Sequence, residues 1–455
     1  MSNLMDMPLK EVEIAIRNAG LTVTILGLGW MGLPTACLFI EAGARVLGVD
    51  VDSRVVELIR NGQSPIDEPG IQNIISRHIG KRLIVTTDPR QAAAQSDIIL
   101  VVVPTGISST RRPNYSAVEK ACKDLGLAMR RGSIVIVEST LGPGVTDTVV
   151  RKVIESNSGL KAGADFGLAY SPIRAMAGQV MKDIQTYPRI VSGVDERSLN
   201  LASVALATIS KGGLVKVKDL KTAEAAKLFE NVYRDVNIAL ASELASFCEK
   251  AGLDFFDVRA AAITQPYCHL HLPRVGVGGH CIPFNPYFLT TEAESLGVEL
   301  KLVKQARKVN DSTPSHIVDL VAKGLKDCKR SLKGSRVAVL GLSYRNDVKE
   351  VNNSPSLKII ETLTKRGTRV SVYDPFFSTA EIEQMGFNAA ESLESAIGGV
   401  DCIIIASGHE QFKHLKMADM SRLARKPGCI VDGWRLFDPE EARANNLTYY
   451  GVGLG

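Results

Sequence analysis

The run Gly27-Leu28-Gly29-Trp30-Met31-Gly32 constrains this chain more than any other feature, because of what stands on either side of it. The β-rich segment Thr22–Leu26 precedes it, a helical stretch follows through Ile40, and residues 44–50 then read as a second strand. Glycines at this spacing allow a tight turn, a close approach to a pyrophosphate, and a helix packed hard against a strand. The first N–H groups of that helix face the anion. Asp50 ends the second strand, where a carboxylate accepts hydrogen bonds from ribose hydroxyls. A carboxylate there repels a 2′-phosphate, so NAD is expected over NADP, with nearby Arg54 the residue that keeps the phosphorylated form in play. Glycines cluster in turns for many reasons, and it is the β-α-β order that makes this turn a dinucleotide site.

Strands are expected next at residues 98–103, 133–137 and 166–169, with helical segments between them, the pattern of a doubly wound parallel sheet. Gly212-Gly213 marks a boundary. Residues 221–250 then read as one long helix ending at Gly252. It carries an apolar stripe of Leu228, Val232, Val236, Ala239, Leu240, Leu244 and Phe247, and a polar face on which Lys227, Asn231 and Arg234 recur. Such a helix between two α/β units is a natural dimer spine. After a basic stretch from Lys323 to Arg336, strands at 336–342, 369–374, 401–406 and 429–432 announce a second α/β unit. It lacks the three-glycine motif, so a second dinucleotide is not expected. The fold class is therefore α/β, with two Rossmann-like doubly wound parallel-sheet domains joined by a long central helix. The expected domains are residues 1–212, 213–325 and 326–455.

Composition excludes several functions. A chain of 455 residues with 45% hydrophobic and 23% charged residues buries ordinary cores without staples. Its net charge of +5 is too mild, and its basic residues too dispersed, for a nucleic-acid partner. Eight cysteines without a Cys-x-x-Cys pair argue against a disulfide framework and fit a reducing cytoplasm. Asp6, Glu11 and Glu13 interrupt the N-terminal region, unlike a secretory signal, and the longest apolar run is far too short to span a bilayer.

Cys281 stands in Val275-Gly276-Val277-Gly278-Gly279-His280-Cys281-Ile282-Pro283. An isolated cysteine is usually a small buried residue, but glycines before it and a proline after it describe an exposed, rigid turn. A thiol so placed, on a chain that binds a redox dinucleotide, suggests a nucleophile that holds an aldehyde during its oxidation. A free thiol is mostly protonated at neutral pH, so a cation is needed beside it, and Lys227 is the candidate. Cys268, His269, His271, His280 and Cys281 invite a metal, but their spacing fits no common zinc pattern, and none is expected. Lys227, Asn231 and Arg234 can equally be a solvated helix face, although asparagine is a poor choice for a helix interior unless that face meets something.

Taken together, the residues resemble the nucleotide-sugar dehydrogenase family, whose members oxidise UDP-glucose, UDP-N-acetylmannosamine or GDP-mannose to uronates. The matching runs are residues 27–36, Val103-Pro-Thr105, Glu138-Ser-Thr140, Lys227-Leu-Phe-Glu-Asn231, Gly278-Gly-His-Cys281, and Gly341-Leu-Ser-Tyr-Arg345 with Ser354-Pro355. The runs at 230–241 and 278–289 look most like the UDP-N-acetylhexosamine branch, above all its UDP-N-acetylmannosamine members. The resemblance implies oxidation of C6 with two NAD consumed, a UDP-sugar-binding C-terminal domain, and a homodimer or larger homo-oligomer. It implies Cys281 as nucleophile, Lys227 and Asn231 as oxyanion donors, and Thr140 ordering the water. Gly27, Gly29, Trp30, Met31, Gly32, Asp50, Arg54, Thr105 and Thr140 are implied to hold the cofactor. Lys227, Asn231, Arg234, Arg259, Gly276, Gly278, Tyr344 and Arg345 are implied to hold the substrate. Three positions depart from the family pattern. Ile173 stands for a glutamate, Asn285 for an aspartate and Asn352 for an arginine, so the hydrolytic base is missing from its usual place and Glu138 or an ordered water is the alternative. UDP-glucose, the other UDP-N-acetylhexosamines, or binding of a nucleotide sugar without catalysis are the competing readings.

Overall fold

The computed structural model describes residues 3–455. They form two compact units, one of residues up to Glu230 with Tyr287–Val298, the other of Asn231–Pro286 with Glu299–Gly455. The strands in chain order are β1 (Thr22–Leu26), β2 (Arg45–Val49), β3 (Leu83–Thr86), β4 (Ile98–Val101), β5 (Gly106–Ile107), β6 (Pro113–Asn114), β7 (Ile134–Val137), β8 (Gly167–Tyr170), β9 (Arg189–Gly193), β10 (Leu214–Lys216), β11 (Arg336–Leu340), β12 (Arg369–Tyr373), β13 (Cys402–Ile405), β14 (Gly428–Asp432) and β15 (Leu447–Gly451).

In the first unit eight strands lie in the order β10-β9-β8-β7-β4-β1-β2-β3. All pairings are parallel except β8 with β9, which is antiparallel. Strands β4 and β7 are apolar throughout and fully buried, as a parallel sheet covered on both faces requires. Aspartates cap the helices that cover it: Asp52 accepts from Arg54 N and Asp195 from Ser198 N, each satisfying a donor that the first helical turn leaves orphaned. The order reverses between β1 and β4. Ligands of such sheets sit outside the carboxyl ends of the strands at that switch point.

The second unit repeats the plan with a parallel sheet in the order β12-β11-β13-β14-β15. The echo extends to detail. Asp50 accepts from Leu28 N at 2.8 Å after β2, and Asp374 accepts from Leu342 N at 2.6 Å after β12. Gly27 has φ +96° and Gly341 φ +103°, and a side chain on either would strike the chain leaving the neighbouring strand, Val102 O or Ser407. The halves differ where a dinucleotide would lie. The Asp374 carboxylate is buried and bonded to the equally buried His409 ring at 3.2 Å, whereas Asp50 stays half-exposed.

The central helix spans Leu220–Ala251. The single apolar stripe expected on it is really two faces. Leu228, Val232 and Ala239 are buried together with Ala241, Ala245 and Cys248, while Leu240, Leu244 and Phe247 are exposed alongside Tyr233. A helix apolar on two sides packs one into its own core and leaves the other uncovered. The strand expected at 166–169 is shifted by one residue, and the expected strand at 98–103 stops at Val101 where the switch-point loop begins. Among the described residues, no helix is long and apolar enough to cross a membrane.

Candidate active site

The glycine loop is built as its spacing predicts. A Cβ on Gly32 would lie 1.8 Å from Gly27 O, so only glycine lets the helix Gly32–Glu41 close onto β1. Around Gly29 there is nothing within 4 Å of an added Cβ. That exposed backbone, beside a helix N-terminus, is a cradle open to a pyrophosphate. Asp50 spends one hydrogen bond on Leu28 N and one on Asp52 N, at 2.8 and 2.9 Å. A carboxylate has roughly four lone-pair sites, so acceptor capacity remains for a ribose. Arg54 is exposed and forked onto Asp52, whose carboxyl it holds low. Trp30, Met31 and Thr105 are half-buried around the loop, and Thr140 follows β7 on the same edge.

At that edge of the first unit the sequence conceals a network. Glu138, just past β7, forms a buried ion pair with Arg189, the first residue of β9. Burial raises the Glu138 pKa against the pull of Arg189. Glu138 Oε2 and Arg189 Nε and Nη1 find no further partner among the described residues. A small cavity of about 10 Å³ lies beside Arg189, lined also by Pro172, Ile173 and Arg174, and has room for about one water. Lys227 Nζ donates to Ile173 O at 2.8 Å, and one turn further along the central helix Glu230 accepts from Arg174 at 2.6 Å. The segment 172–174 is thus stapled twice to the helix. The Ile173 side chain joins the hydrophobic core, so position 173 offers the lysine a backbone carbonyl. Nothing in the residue type of Ile173 announced this, because every residue carries a carbonyl. The same helix buries Glu224, which accepts from Thr146 N at 2.7 Å and Thr146 Oγ1 at 2.5 Å, and whose pKa burial pushes up to about 7.

In the second unit Cys281 is exposed, the other seven cysteines being buried or half-buried, and all eight are free thiols. Its turn is held from three sides. Tyr344 packs so closely that a Cβ on Gly278 would lie 2.4 Å from Tyr344 Cβ and one on Gly279 2.8 Å from the ring, while Pro355 fills the space beside Gly276. Tyr344 is fixed by its hydroxyl, donated to Glu350 at 2.7 Å. Gly279 N donates to Asn352 O at 2.9 Å, so position 352 contributes backbone to the turn. Finally Asn285 N donates to Cys281 O at 2.9 Å, and Asn231 Nδ2 reaches Asn285 Oδ1 at 2.6 Å with both side chains buried. Asn231 therefore ties the central helix to the cysteine turn. Arg345 is half-buried in the loop after β11, Arg234 is exposed, and Arg259 is half-buried on the helix Phe255–Ala262. Among the described residues no group of three His, Cys, Asp or Glu side chains is gathered as metal ligands.

Comparison with known proteins settles the class. Three domains of one family match consecutive stretches: the NAD binding domain over residues 21–208, the central domain over 221–312 and the UDP binding domain over 338–439. The chain belongs to the UDP-glucose/GDP-mannose dehydrogenase family. The UDP-N-acetyl-D-mannosamine dehydrogenase of Pyrococcus horikoshii is 33% identical over 433 residues, covering 95% of this chain and 99% of that one. That of Yersinia pestis is 32% identical, covering 88% and 96%. Among solved structures, the UDP-D-ManNAc dehydrogenase of Pyrococcus horikoshii superposes with a TM-score of 0.88 at 32% identity, over 96% of this chain and 100% of that one. A UDP-glucose dehydrogenase from Pyrobaculum islandicum does so at 0.84 and 26% identity, over 96% and 98%. As a member of the UDP-glucose/GDP-mannose dehydrogenase family the protein is an NAD-dependent oxidoreductase, and the open cradle over Gly29 with a ribose-facing carboxylate at Asp50 fits that cofactor.

Proposed function

We propose that the protein is a UDP-N-acetylhexosamine 6-dehydrogenase, acting on UDP-N-acetylmannosamine and converting C6 from alcohol to carboxylate. The observation that carries this reading is the exposed thiol of Cys281 on a turn whose glycines, tyrosine and asparagines leave it no freedom to wander. The relatives that share nearly the whole chain, and are named for this substrate, supply the sugar.

NAD, when bound, takes up the electrons of both oxidations. The protein's own part is to hold the carbon between them. The Cys281 thiolate adds to the C6 aldehyde, its sulfur forming a bond to carbon as the carbonyl π pair passes to oxygen, which takes up a proton to become the thiohemiacetal hydroxyl. Loss of a hydride from carbon and a proton from the hydroxyl leaves a thioester, and water then cleaves the carbon–sulfur bond, releasing the uronate, a proton and the thiol. Lys227 and Asn231, one helical turn apart, supply donors for the oxygen as it gains charge. Thr140 orders the water. With isoleucine at 173 and asparagine at 285, neither position supplies a carboxylate base, and Glu138 beside Thr140 takes that part through ordered water.

A panel of UDP-sugars assayed for NADH tests the substrate. UDP-N-acetylmannosamine is expected to give a kcat/KM at least about tenfold above UDP-glucose, a difference of about 1.4 kcal/mol in transition-state binding. Equal or higher kcat/KM with UDP-glucose contradicts the assignment.

The working form is a homodimer built on the uncovered face of the central helix, where Tyr233, Leu240, Leu244 and Phe247 stand 50%, 45%, 37% and 61% exposed. An apolar stripe of this length on a stable helix buries against its own copy. Sedimentation of the native protein is expected to give twice the chain mass, and Leu244→Asp with Phe247→Asp to give the chain mass. A monomeric native protein overturns it.

A further inference from the structure

The central helix buries three polar side chains along one face, Glu224, Lys227 and Asn231, spaced i, i+3 and i+7. Lys227 and Asn231 enter the proposed reaction as oxyanion donors. Glu224, one turn before Lys227, is fully buried, and its carboxylate is engaged by three donors from a single stretch of the first unit. Oε1 accepts from Thr146 N at 2.7 Å and from Thr146 Oγ1 at 2.5 Å, and Oε2 accepts from Gly144 N.

That stretch starts at Thr140, which follows β7, and runs into the π-helical turn Thr146–Val150. Tyr115 gives it a second hold, since Gly142 N donates to the Tyr115 hydroxyl at 3.1 Å and the Tyr115 ring meets Phe288 edge-on with centroids 5.8 Å apart. Every donor that Glu224 uses is neutral. Burying an ionised carboxylate against neutral donors alone is costly, and an apolar side chain would fill the space without that cost. What a carboxylate adds is two oxygens that both accept, so the donors at 144 and at 146 are satisfied together. Glutamine, of the same length, offers one acceptor oxygen and turns an NH₂ group toward a donor at the other end. The carboxylate therefore serves as a lock between the central helix and the Thr140 stretch.

We propose that Glu224 is a positioning residue for thioester cleavage: through Gly144 and Thr146 it holds the Thr140 stretch in register with Lys227 on the same helix, so that the water ordered by Thr140 keeps a fixed place relative to the oxyanion donor. This rests on the reaction proposed above and adds to it the group that sets the spacing of two of its parts. A displacement of about an ångström at such a place slows a reaction by up to about 100-fold without touching the reacting atoms.

Rapid-mixing kinetics of the full-length protein with UDP-N-acetylmannosamine and excess NAD test this, run on the alkaline side of the Glu224 pKa, which burial raises to about 7. Glu224→Gln is expected to release a burst of two NADH per active site and then turn over about 10- to 100-fold more slowly than the native protein. Because the slowed step follows both oxidations, KM falls with kcat and kcat/KM stays within about twofold, whereas general damage to the site lowers kcat/KM as well. Hydroxylamine, whose nitrogen takes the acyl group from sulfur without an ordered water and leaves the hydroxamate and the free thiol, is expected to restore the steady-state rate. Thr146→Val, which keeps the carboxylate and removes one donor to it, shows a smaller fall in kcat of the same kind, about three- to tenfold. A native kcat in both variants, or a kcat/KM that falls as far as kcat, overturns the assignment and leaves the proposed reaction standing. A native protein that forms one NADH per sugar has no thioester to cleave, and it removes the reaction and this assignment together.

Discussion

Cys281→Ser is expected to bind UDP-sugar and NAD within about twofold of the native protein while uronate formation falls by roughly 10³-fold or more. The fold should not notice the change. The thiol is exposed, and substitutions at exposed positions away from caps and special backbone usually cost within about 0.5 kcal/mol. The turn is held by Tyr344, Asn285 and Asn352 through backbone and ring contacts that do not involve sulfur. Chemistry is another matter, since a serine hydroxyl is far less ionised than a thiol at neutral pH and a poorer nucleophile toward an aldehyde. Assay of uronate by mass spectrometry, alongside calorimetry of both ligands, reads the two effects separately. Uronate production at the native rate would remove Cys281 from the mechanism.

The second large effect is expected at the glycine loop, where two neighbouring glycines should fail in different ways. Gly32→Ala places a methyl 1.8 Å from Gly27 O, a backbone atom that cannot swing aside. Forcing the helix away from β1 opens the core of the first unit, with a loss of about 3 kcal/mol or more in stability and of NAD binding with it. Gly29→Ala meets nothing within 4 Å in the protein, so it should melt at the native temperature yet bind NAD roughly tenfold or more weakly, the methyl occupying space the pyrophosphate needs. Thermal unfolding and NAD titration of the pair distinguish packing from ligand contact. If Gly29→Ala binds NAD normally, the cradle is not where the cofactor's phosphates lie.

Much of this architecture was legible because it is written in local patterns. Strands such as Ile134–Val137 are continuous apolar runs, and the glycine loop announces its own turn. Strands β9 and β10 were not read because Arg189 and Lys216 interrupt their apolar runs, and β3, the short run Leu83–Thr86, because it follows the charged pair Lys81-Arg82 and is fixed only by its pairing with β2. The central helix misled for a different reason. Periodicity shows which residues are apolar but not which apolar face finds a partner, so Ala239 and Leu240 entered one stripe although the first is buried and the second is not. At the candidate site, Cys281 and Asn231 stood out by residue type. The groups that hold them did not. Tyr344 packs on glycines some 65 positions earlier, Ile173 and Asn352 act through carbonyls, and the Glu138–Arg189 pair joins the ends of two strands that only the sheet order brings together.

The most direct measurement counts electrons. Purified protein given a limiting amount of UDP-N-acetylmannosamine and excess NAD is predicted to form two NADH for each sugar consumed, with uronate as the product and no aldehyde accumulating. One NADH per sugar, with free aldehyde released, would mean that the Cys281 turn does not retain the carbon for a second oxidation, and the account built on that turn would be wrong.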